Sequence, residues 1–228
     1  FDCDGPTTVV VLARIEIDND VILDGGGNLV LHAAGVHPVF WIQYGVVAEL
    51  RGMTILGGRG LGSAVQNSGT LALVDSSLLH NRDDALWNTG AMSVEGCTVS
   101  NPEEGGRVQN VGALTMVNST VDDLLQNDGA MTLIHATLCC IESPRGDTSV
   151  TNSIVTDSCD ERVRSGGYNI GCGFDHPTDL DGVDLEDLEL GPLQDNGGPT
   201  MTHALGEGSI AIDKIPAEEC VDAAGQEL

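Results

Sequence analysis

One apolar pattern recurs along the chain, and its spacing is that of a β-strand. Residues 108–121 read VQNVGALTMVNSTV, in which Leu114 and Met116 stand two positions apart. Because successive side chains of an extended strand point to opposite faces, this period predicts strands with one buried face. Nearly the same segment occurs three more times, as VQNSGTLALVDSSL (65–78), LWNTGAMSVEGCTV (86–99) and LQNDGAMTLIHATL (125–138).

The repeat extends to six units. AELRGMTI (48–55) precedes the four copies and TSVTNSIV (148–155) follows them, so equivalent residues are stepped by 23, 21, 22, 17 and 17 positions. A unit of this length cannot bury its apolar face alone and must lie on the next unit, which is typical of solenoids. We predict an all-β, right-handed parallel β-helix of about eight coils, because crossovers between parallel strands are right-handed by default.

Stacking the units gives four columns of uniform chemistry, which we interpret as inward-facing stacks. The first two are apolar, the third is mostly small and the fourth is branched. The columns are Ala48, Leu71, Met92, Leu114, Met131 and Thr148; Leu50, Leu73, Val94, Met116, Leu133 and Val150; Met53, Ser76, Cys97, Ser119, Ala136 and Ser153; and Ile55, Leu78, Val99, Val121, Leu138 and Val155.

Two further columns consist of one residue type each. Stacked amides can hydrogen-bond from coil to coil at a tight turn, and glycine supplies a backbone conformation that few other residues adopt. We therefore assign a structural role to Asn67, Asn88, Asn110, Asn127, Gly69, Gly90, Gly112 and Gly129.

The repeat also predicts the domain organisation. Upstream, residues 9–35 fit two or more initial coils with a sharp turn at the glycines of 25–27, and the start of the chain is expected to cover the first coil's open edge. Downstream, the repeat stops near residue 156. We expect residues 1–157 to form the β-helix with its N-terminal capping coil, and residues 158–228 to form an irregular C-terminal module packed on it.

The amino-acid composition limits the classes of partner that the chain can bind. The chain of 228 residues has 9 basic and 35 acidic side chains, a formal charge of -26, which would repel phosphate backbones and anionic lipid. We therefore expect no nucleic-acid partner. No apolar run is long enough for a transmembrane segment, and Phe1 opens no signal peptide, so the sequence is expected to be a mature or trimmed form.

Cysteine usage indicates the compartment. Seven cysteines without a CxxC motif favour an oxidising, extracytoplasmic location. Cys97 stands in the small inward column and is expected to be a buried free thiol. The adjacent Cys139 and Cys140 would point opposite ways in an extended strand, so one could pair and the other not. The pairing of Cys3 and Cys220 stays open.

Candidate chemistry lies between the coils. The longer steps imply insertions at HNRDDA (80–85) and NPEEGGR (101–107), and such insertions often form the binding face of a solenoid. The first insertion holds the densest polar group of the repeat region. Its candidate catalytic residues are His80, Arg82, Asp83 and Asp84.

A second polar cluster suggests calcium. DLDGVDLEDLE (179–189) places Asp179, Asp181 and Asp184 around a glycine turn, an oxygen-rich spacing suited to calcium but without the full pattern of a twelve-residue calcium loop. The alternative is a solvated acidic loop. His203, in THAL, is expected to make a structural hydrogen bond.

Several segments resemble one family. VILDGGGNLVL, the repeated QNxGxLxLxxS, GYNIGCGF, LGPLQDNGGPTMTHAL and GSIAID are similar to bacterial right-handed parallel β-helix surface proteins with a choice-of-anchor Q domain, relatives of polymorphic outer-membrane and pectin-lyase-like proteins. The resemblance covers essentially the whole chain and is most specific over 191–213. It departs at Ile210, where similar members carry proline.

The resemblance implies a secreted or surface-displayed protein, and together with spacing it implies a disulfide between Cys159 and Cys172. Some pectin-lyase-like relatives are enzymes. Asp83 and Asp84 superficially resemble the paired aspartates of the hydrolases, but the GHG and RIK motifs expected with them are missing.

Two functions follow as expectations. The first is a non-enzymatic extracellular structural or adhesive protein at the bacterial surface, which self-associates through the ends of its helix into filaments. The alternative is a polysaccharide lyase, a glycoside hydrolase or a glycan-binding module that uses the two insertions. We expect no cofactor other than calcium.

Overall fold

The computed structural model describes residues 5–59, 63–101 and 105–220. About half of the chain, 51%, is strand and 3% is helix, and one parallel sheet contains 19 strands. Two further strands form a small antiparallel sheet. The molecule is therefore the all-β parallel β-helix that the repeat predicts.

The strands follow one another with short connections. They are β1 (Thr7–Val10), β2 (Ile15–Ile17), β3 (Val21–His32), β4 (Phe40–Ile42), β5 (Val47–Leu56), β6 (Val65–Asn67), β7 (Thr70–Val74), β8 (Ser77–Leu79), β9 (Asp84–Asn88), β10 (Ala91–Glu95), β11 (Thr98–Ser100), β12 (Arg107–Asn110), β13 (Ala113–Val117), β14 (Thr120–Asn127), β15 (Ala130–Ile134), β16 (Thr137–Glu142), β17 (Asp147–Thr151), β18 (Ile154–Val155), β19 (Val163–Gly167), β20 (Leu190–Gln194) and β21 (Thr202–Leu205). The helical elements are α1 (Leu185–Leu188) and a 3₁₀ turn (Ala217–Glu219).

Each coil crosses three faces. Face 1 stacks β1, β3, β5, β8, β11, β14, β16 and β18. Face 2 stacks β2, β4, β6, β9, β12, β14 and β16. Face 3 stacks β3, β5, β7, β10, β13, β15, β17 and β19. Eight successive strands on two faces, within the described residues, match the predicted number of coils.

The strand register confirms the first, second and fourth predicted columns. On face 3, Leu71 pairs with Ala48 on one side and with Met92 on the other. On face 1, Leu78 lies between Ile55 and Val99 in the same way. Their side chains form one continuous core cluster, and stacking removes their apolar surface from water on both sides.

The small column has a polar function as well. The Ser76 hydroxyl donates to the Val74 carbonyl at 2.7 Å and accepts the Met53 N–H at 3.3 Å. Ser119 and Ser153 make the equivalent pair of bonds in later coils. These hydroxyls satisfy backbone groups that the corner between face 3 and face 1 would otherwise leave buried and unpaired.

The asparagine column forms the predicted hydrogen-bonded ladder. The amide nitrogen of Asn67 donates to Oδ1 of Asn88 at 2.8 Å, and each later asparagine donates to the next at 2.7 Å. Asn127 ends the series by donating to the Thr148 hydroxyl at 2.8 Å. All four side chains are buried, so the ladder lies inside the wall.

The glycine column is needed for a different reason from the predicted one. The glycines of positive φ include Gly26 and Gly27, where β3 turns from face 3 to face 1, but none of the four repeat glycines. A Cβ built on Gly112 would instead overlap the carbonyl oxygen of Gly90 in the preceding coil. Glycine is required here because the backbones of two neighbouring coils lie too close together to leave room for a side chain.

Parallel pairing continues beyond residue 157, where the sequence repeat ends. Strand β19 pairs with β17, and single bridges join Ile154 to Ile170 and Ile170 to Leu180. The sequence of β19, VRSGG, lacks the alternating apolar residues of the repeat, so its pattern could not reveal this coil. Phe174 joins the core cluster from the segment that follows.

The C-terminal segment contacts the side of the helix. Side-chain hydrogen bonds hold the hairpin of β20 and β21 against face 1 and the corners beside it. The Thr98 hydroxyl donates to the Met201 carbonyl, the Thr200 hydroxyl donates to the Gly96 carbonyl, and His203 contacts Asp122.

Candidate functional site

The first insertion separates its two aspartates. Asp84 begins β9 and is buried, and its Oδ1 accepts a hydrogen bond from Nε of Arg107 at 2.8 Å. Asp83 is exposed and has a positive φ of 66°. His80 and Arg82 are exposed as well. The two carboxylates therefore have different surroundings, and a catalytic role for these residues stays a prediction.

A structural residue occupies the middle of this insertion. The buried Asn81 accepts the Gly58 N–H at 2.9 Å and donates to the Ile55 carbonyl at 3.1 Å. Its own N–H donates to Asn101, whose N–H donates to the buried Asp123 at 3.0 Å. Burial raises the pKa of Asp123. Asn81, Asn101 and Asp123 thus form a second polar column, and this column anchors both insertions. Residues 102–104 of the second one lie outside the described residues.

The structure does not gather the three aspartates predicted for calcium. Asp179 accepts the N–H groups of Asn169 at 2.9 Å and His176 at 3.1 Å, one on each carboxylate oxygen. Asp181 accepts the N–H of Gly182 at 2.7 Å. Asp184 precedes α1 without a side-chain cap. The cluster fits a loop held by its own backbone, and a calcium site there stays a prediction.

The predicted disulfide is present. Cys159 and Cys172 are joined, with their Cα atoms 5.4 Å apart, and the bond ties the last described coil of face 2 to the segment that carries Phe174.

Cys97 is a buried free thiol, as predicted, and burial raises its pKa to about 12. Its Sγ contacts the Glu95 carbonyl at 3.2 Å, the position that serine hydroxyls take in other coils. Cys3 lies outside the described residues.

The expectation for the adjacent cysteines is wrong. The Sγ atoms of Cys139 and Cys140 lie only 3.2 Å apart. The reason is the register of β16, in which Leu138 still belongs to face 1 whereas Cys140 already belongs to face 2. The chain turns a corner between the two cysteines, so strand alternation does not apply. Burial, and next the Cys139 thiol, raise the pKa of Cys140 to about 12.

A face bearing both tryptophans was missed by the sequence reasoning. On the outer side of face 2, one column runs through Trp41, Gln66, Trp87, Gln109 and Gln126. The two tryptophans are two coils apart, roughly 9.5 Å at the usual strand spacing. The sequence does contain a signal for this outer column: Trp87 precedes the ladder residue Asn88 just as glutamine precedes the ladder asparagine in the other three copies.

A cleft of about 250 Å³ lies between the two indoles. Gln66 lines it between the rings, and the guanidinium of Arg14 lies 4.4 Å from the ring centre of Trp41. The indole N–H of Trp87 is buried and donates to no acceptor in the described chain. The cleft thus combines aromatic surface with hydrogen-bonding groups, which suits a neutral polar ligand.

A larger, shallow groove of about 680 Å³ crosses the outer side of face 3. Its floor consists of small side chains such as Ala72, Ala91 and Ala113. Of the acidic residues along it, Asp20 accepts the Val47 N–H at 2.8 Å, and Glu49 pairs with Arg51 at 3.3 Å. Both carboxylates are therefore engaged in structural contacts rather than aimed together at a substrate.

Comparison with protein-family models, curated proteins and solved structures finds no match for this chain. The resemblance to choice-of-anchor Q proteins therefore stays a prediction. Within the described ranges, no helix has the length and apolar content to cross a membrane.

Proposed function

We propose that this chain is a non-enzymatic structural or adhesive protein that acts outside the cell. The observation that carries the proposal is its interior, in which apolar stacks and a hydrogen-bonded asparagine ladder run from coil to coil. Such a core makes a stiff rod whose outer faces and ends are free to vary. Asp84 of the first insertion and the acidic residues of the large groove, Asp20 and Glu49, are engaged in separate contacts.

An extracellular location is supported by the disulfide between Cys159 and Cys172, since such bonds persist in oxidising compartments. The net charge of -26 favours solubility in salt and disfavours binding to anionic lipid. The family resemblance, with its implied surface display at a bacterial cell, is in keeping with both features.

Self-association belongs to this proposal and is best supported at the N-terminal end. A mainly apolar cavity of about 440 Å³ lies there, lined by residues of the first coils such as Val9, Ile15, Ile22 and Leu29. At the other end, the segment with Phe174 and Leu180 continues the stack beyond the last full coil. A second copy that docks here through its own N-terminal cavity would form a closed dimer with twofold symmetry. A filament would also require the opposite, C-terminal end of the helix to be open.

Light scattering after size-exclusion chromatography, with negative-stain electron microscopy, tests this association. We expect a concentration-dependent dimer that Ile22→Asp disrupts, because Ile22 is 62% exposed at the apolar end. Val111→Asp is the matched control, since Val111 is 51% exposed in the middle of the stack. A strictly monomeric parent protein across protein, salt and calcium concentrations would rule the association out.

The alternative of glycan binding is favoured by the cleft between Trp41 and Trp87. Indole rings pack on the C–H faces of sugar rings, and Gln66 and Arg14 supply hydrogen bonds to hydroxyl groups. Adhesion through a neutral glycan would use this cleft, because the acidic surface repels uronate polymers.

Calorimetry with a panel of neutral oligosaccharides tests this function. We expect binding that Trp41→Ala and Trp87→Ala each weaken at least about 10-fold, since aromatic anchors carry much of such interfaces. Gln126→Ala, in the same outer column but away from the cleft, is the control. Turnover of any polysaccharide that Asp83→Ala abolishes would instead establish the enzymatic alternative.

A further inference from the structure

The corner between faces 1 and 2 brings two thiols together. Cys139 and Cys140 are consecutive, yet their Sγ atoms lie 3.2 Å apart because β16 turns between them. Both side chains are partly exposed. The bulge in register between Val121 and Leu124 of the preceding coil gives the corner its shape.

The next coil adds a carboxylate. The N–H of Asp157 donates to the Cys139 carbonyl at 2.9 Å, which fixes Asp157 directly above the thiol pair. One carboxylate oxygen of Asp157 and the two sulfur atoms all lie within 4.8 Å of one another. Asp157 is exposed, so an ion can reach the three side chains from solvent.

We propose that Cys139, Cys140 and Asp157 bind a thiophilic divalent cation, of which Zn²⁺ is the commonest in proteins. Two sulfur ligands select such a cation over Ca²⁺ or Mg²⁺, which take oxygen ligands. One carboxylate completes a three-residue set and leaves a fourth position for water, as at exchangeable zinc sites.

The geometry requires little adjustment. Tetrahedral coordination with Zn–S bonds of about 2.3 Å places two sulfur atoms roughly 3.8 Å apart. The present separation of 3.2 Å is shorter by about half an ångström, and side-chain rotation alone covers the difference. The site does not depend on the aspartates at 179–184 or on the glycan proposal.

The test starts from protein that keeps the Cys159–Cys172 disulfide while its other thiols are reduced. We expect one Zn²⁺ per chain by calorimetry, and with Cd²⁺ an ultraviolet absorption band of sulfur-to-metal charge transfer. Cys139→Ser and Cys140→Ser should remove most of this band and weaken Zn²⁺ binding by about 100-fold, and Asp157→Asn should weaken it by about 10-fold.

Cys220→Ser is the matched control, because Cys220 is a partly exposed free thiol remote in sequence from the site. This variant should keep both the stoichiometry and the band. Should a serine variant fail to fold, Asp157→Asn still decides the matter, since it leaves both thiols in place. An unchanged Cd²⁺ band in the two serine variants, or a Cys139–Cys140 disulfide that forms at once and abolishes binding in air, would overturn the proposal.

Discussion

The side-chain amide of Asn88 donates a hydrogen bond to Oδ1 of Asn110 at 2.7 Å, and a second one to the Ala113 carbonyl at 2.9 Å. Its Oδ1 accepts the N–H of Gly90 at 3.2 Å. The side-chain amide of Asn88 thus makes hydrogen bonds both within its own turn and to the turn of the following coil. Asn67 and Asn110 likewise donate both to the next ladder asparagine and to a backbone carbonyl of the following coil, so the coils are joined by specific polar bonds as well as by apolar stacking.

Asn110→Ala should be among the most destabilising substitutions in the chain. It removes the hydrogen bond accepted from Asn88, the one donated to Asn127 and the one donated to the Ala130 carbonyl. At about 1 kcal/mol for each hydrogen bond lost, we expect a loss of about 3 kcal/mol in the free energy of unfolding. Urea unfolding followed by circular dichroism measures it. Gln109→Ala, one residue earlier on the outer side, should cost less than about 1 kcal/mol.

Gly112→Ala tests the steric requirement. The added methyl group would overlap the Gly90 carbonyl oxygen, so the two coils must separate locally. We expect a loss of about 2–3 kcal/mol, typical of overpacking in a rigid interior. Gly198→Ala is the control, since a Cβ there meets nothing closer than the Thr200 carbonyl at 3.7 Å. Equal melting temperatures for the two variants would contradict this account.

The repeat predicted the inward columns because each side chain in a β-helix touches its own equivalents in the neighbouring coils. Leu114, for example, packs between Met92 and Met131, so similarity along the sequence reports contact in space. The same logic placed Asn110 inside the wall. A pattern with six copies therefore determined the register as well as the fold class.

Contacts outside the repeat could not be derived in this way. The approach of Cys139 to Cys140 depends on a corner whose position differs from coil to coil, and alternation along a strand gave the wrong result. The bond between His203 and Asp122 joins residues 81 positions apart that belong to different kinds of structure. No periodicity connects them, so only the folded chain reveals the pair.

Loss of the disulfide should lower stability without changing the repeat region. Cys159 and Cys172 enclose a loop with a sequence separation of 13, which corresponds to about 3 kcal/mol in the chain-entropy model. We expect Cys159→Ser and the double variant with Cys172→Ser to be destabilised equally, because either change removes the same bond. Guanidinium unfolding under oxidising conditions measures this. A further loss in the double variant would show that Cys172 contributes beyond the bond.

Docking of the hairpin β20–β21 should weaken as pH rises. Nε2 of His203 lies 2.9 Å from Oδ1 of Asp122, and its Nδ1 lies 2.7 Å from the Gly191 carbonyl oxygen. Burial alone would lower the pKa of His203, but these two acceptors outweigh it and raise the pKa above its ordinary value of about 6.5. The stabilisation is therefore complete below about pH 6.5 and is lost as pH rises through the higher folded value.

Hydrogen exchange of residues 190–205, measured from pH 5.5 to 9 and corrected for the intrinsic rate, tests this prediction. We expect protection in the parent protein to fall above about pH 6.5, and His203→Gln to remove most of the change because glutamine does not titrate. Asp122→Asn should also flatten the profile, since the neutral amide no longer favours the imidazolium ion. His176→Gln is the control, as His176 lies in a separate loop. A profile that stays the same in His203→Gln would assign the pH dependence to another group.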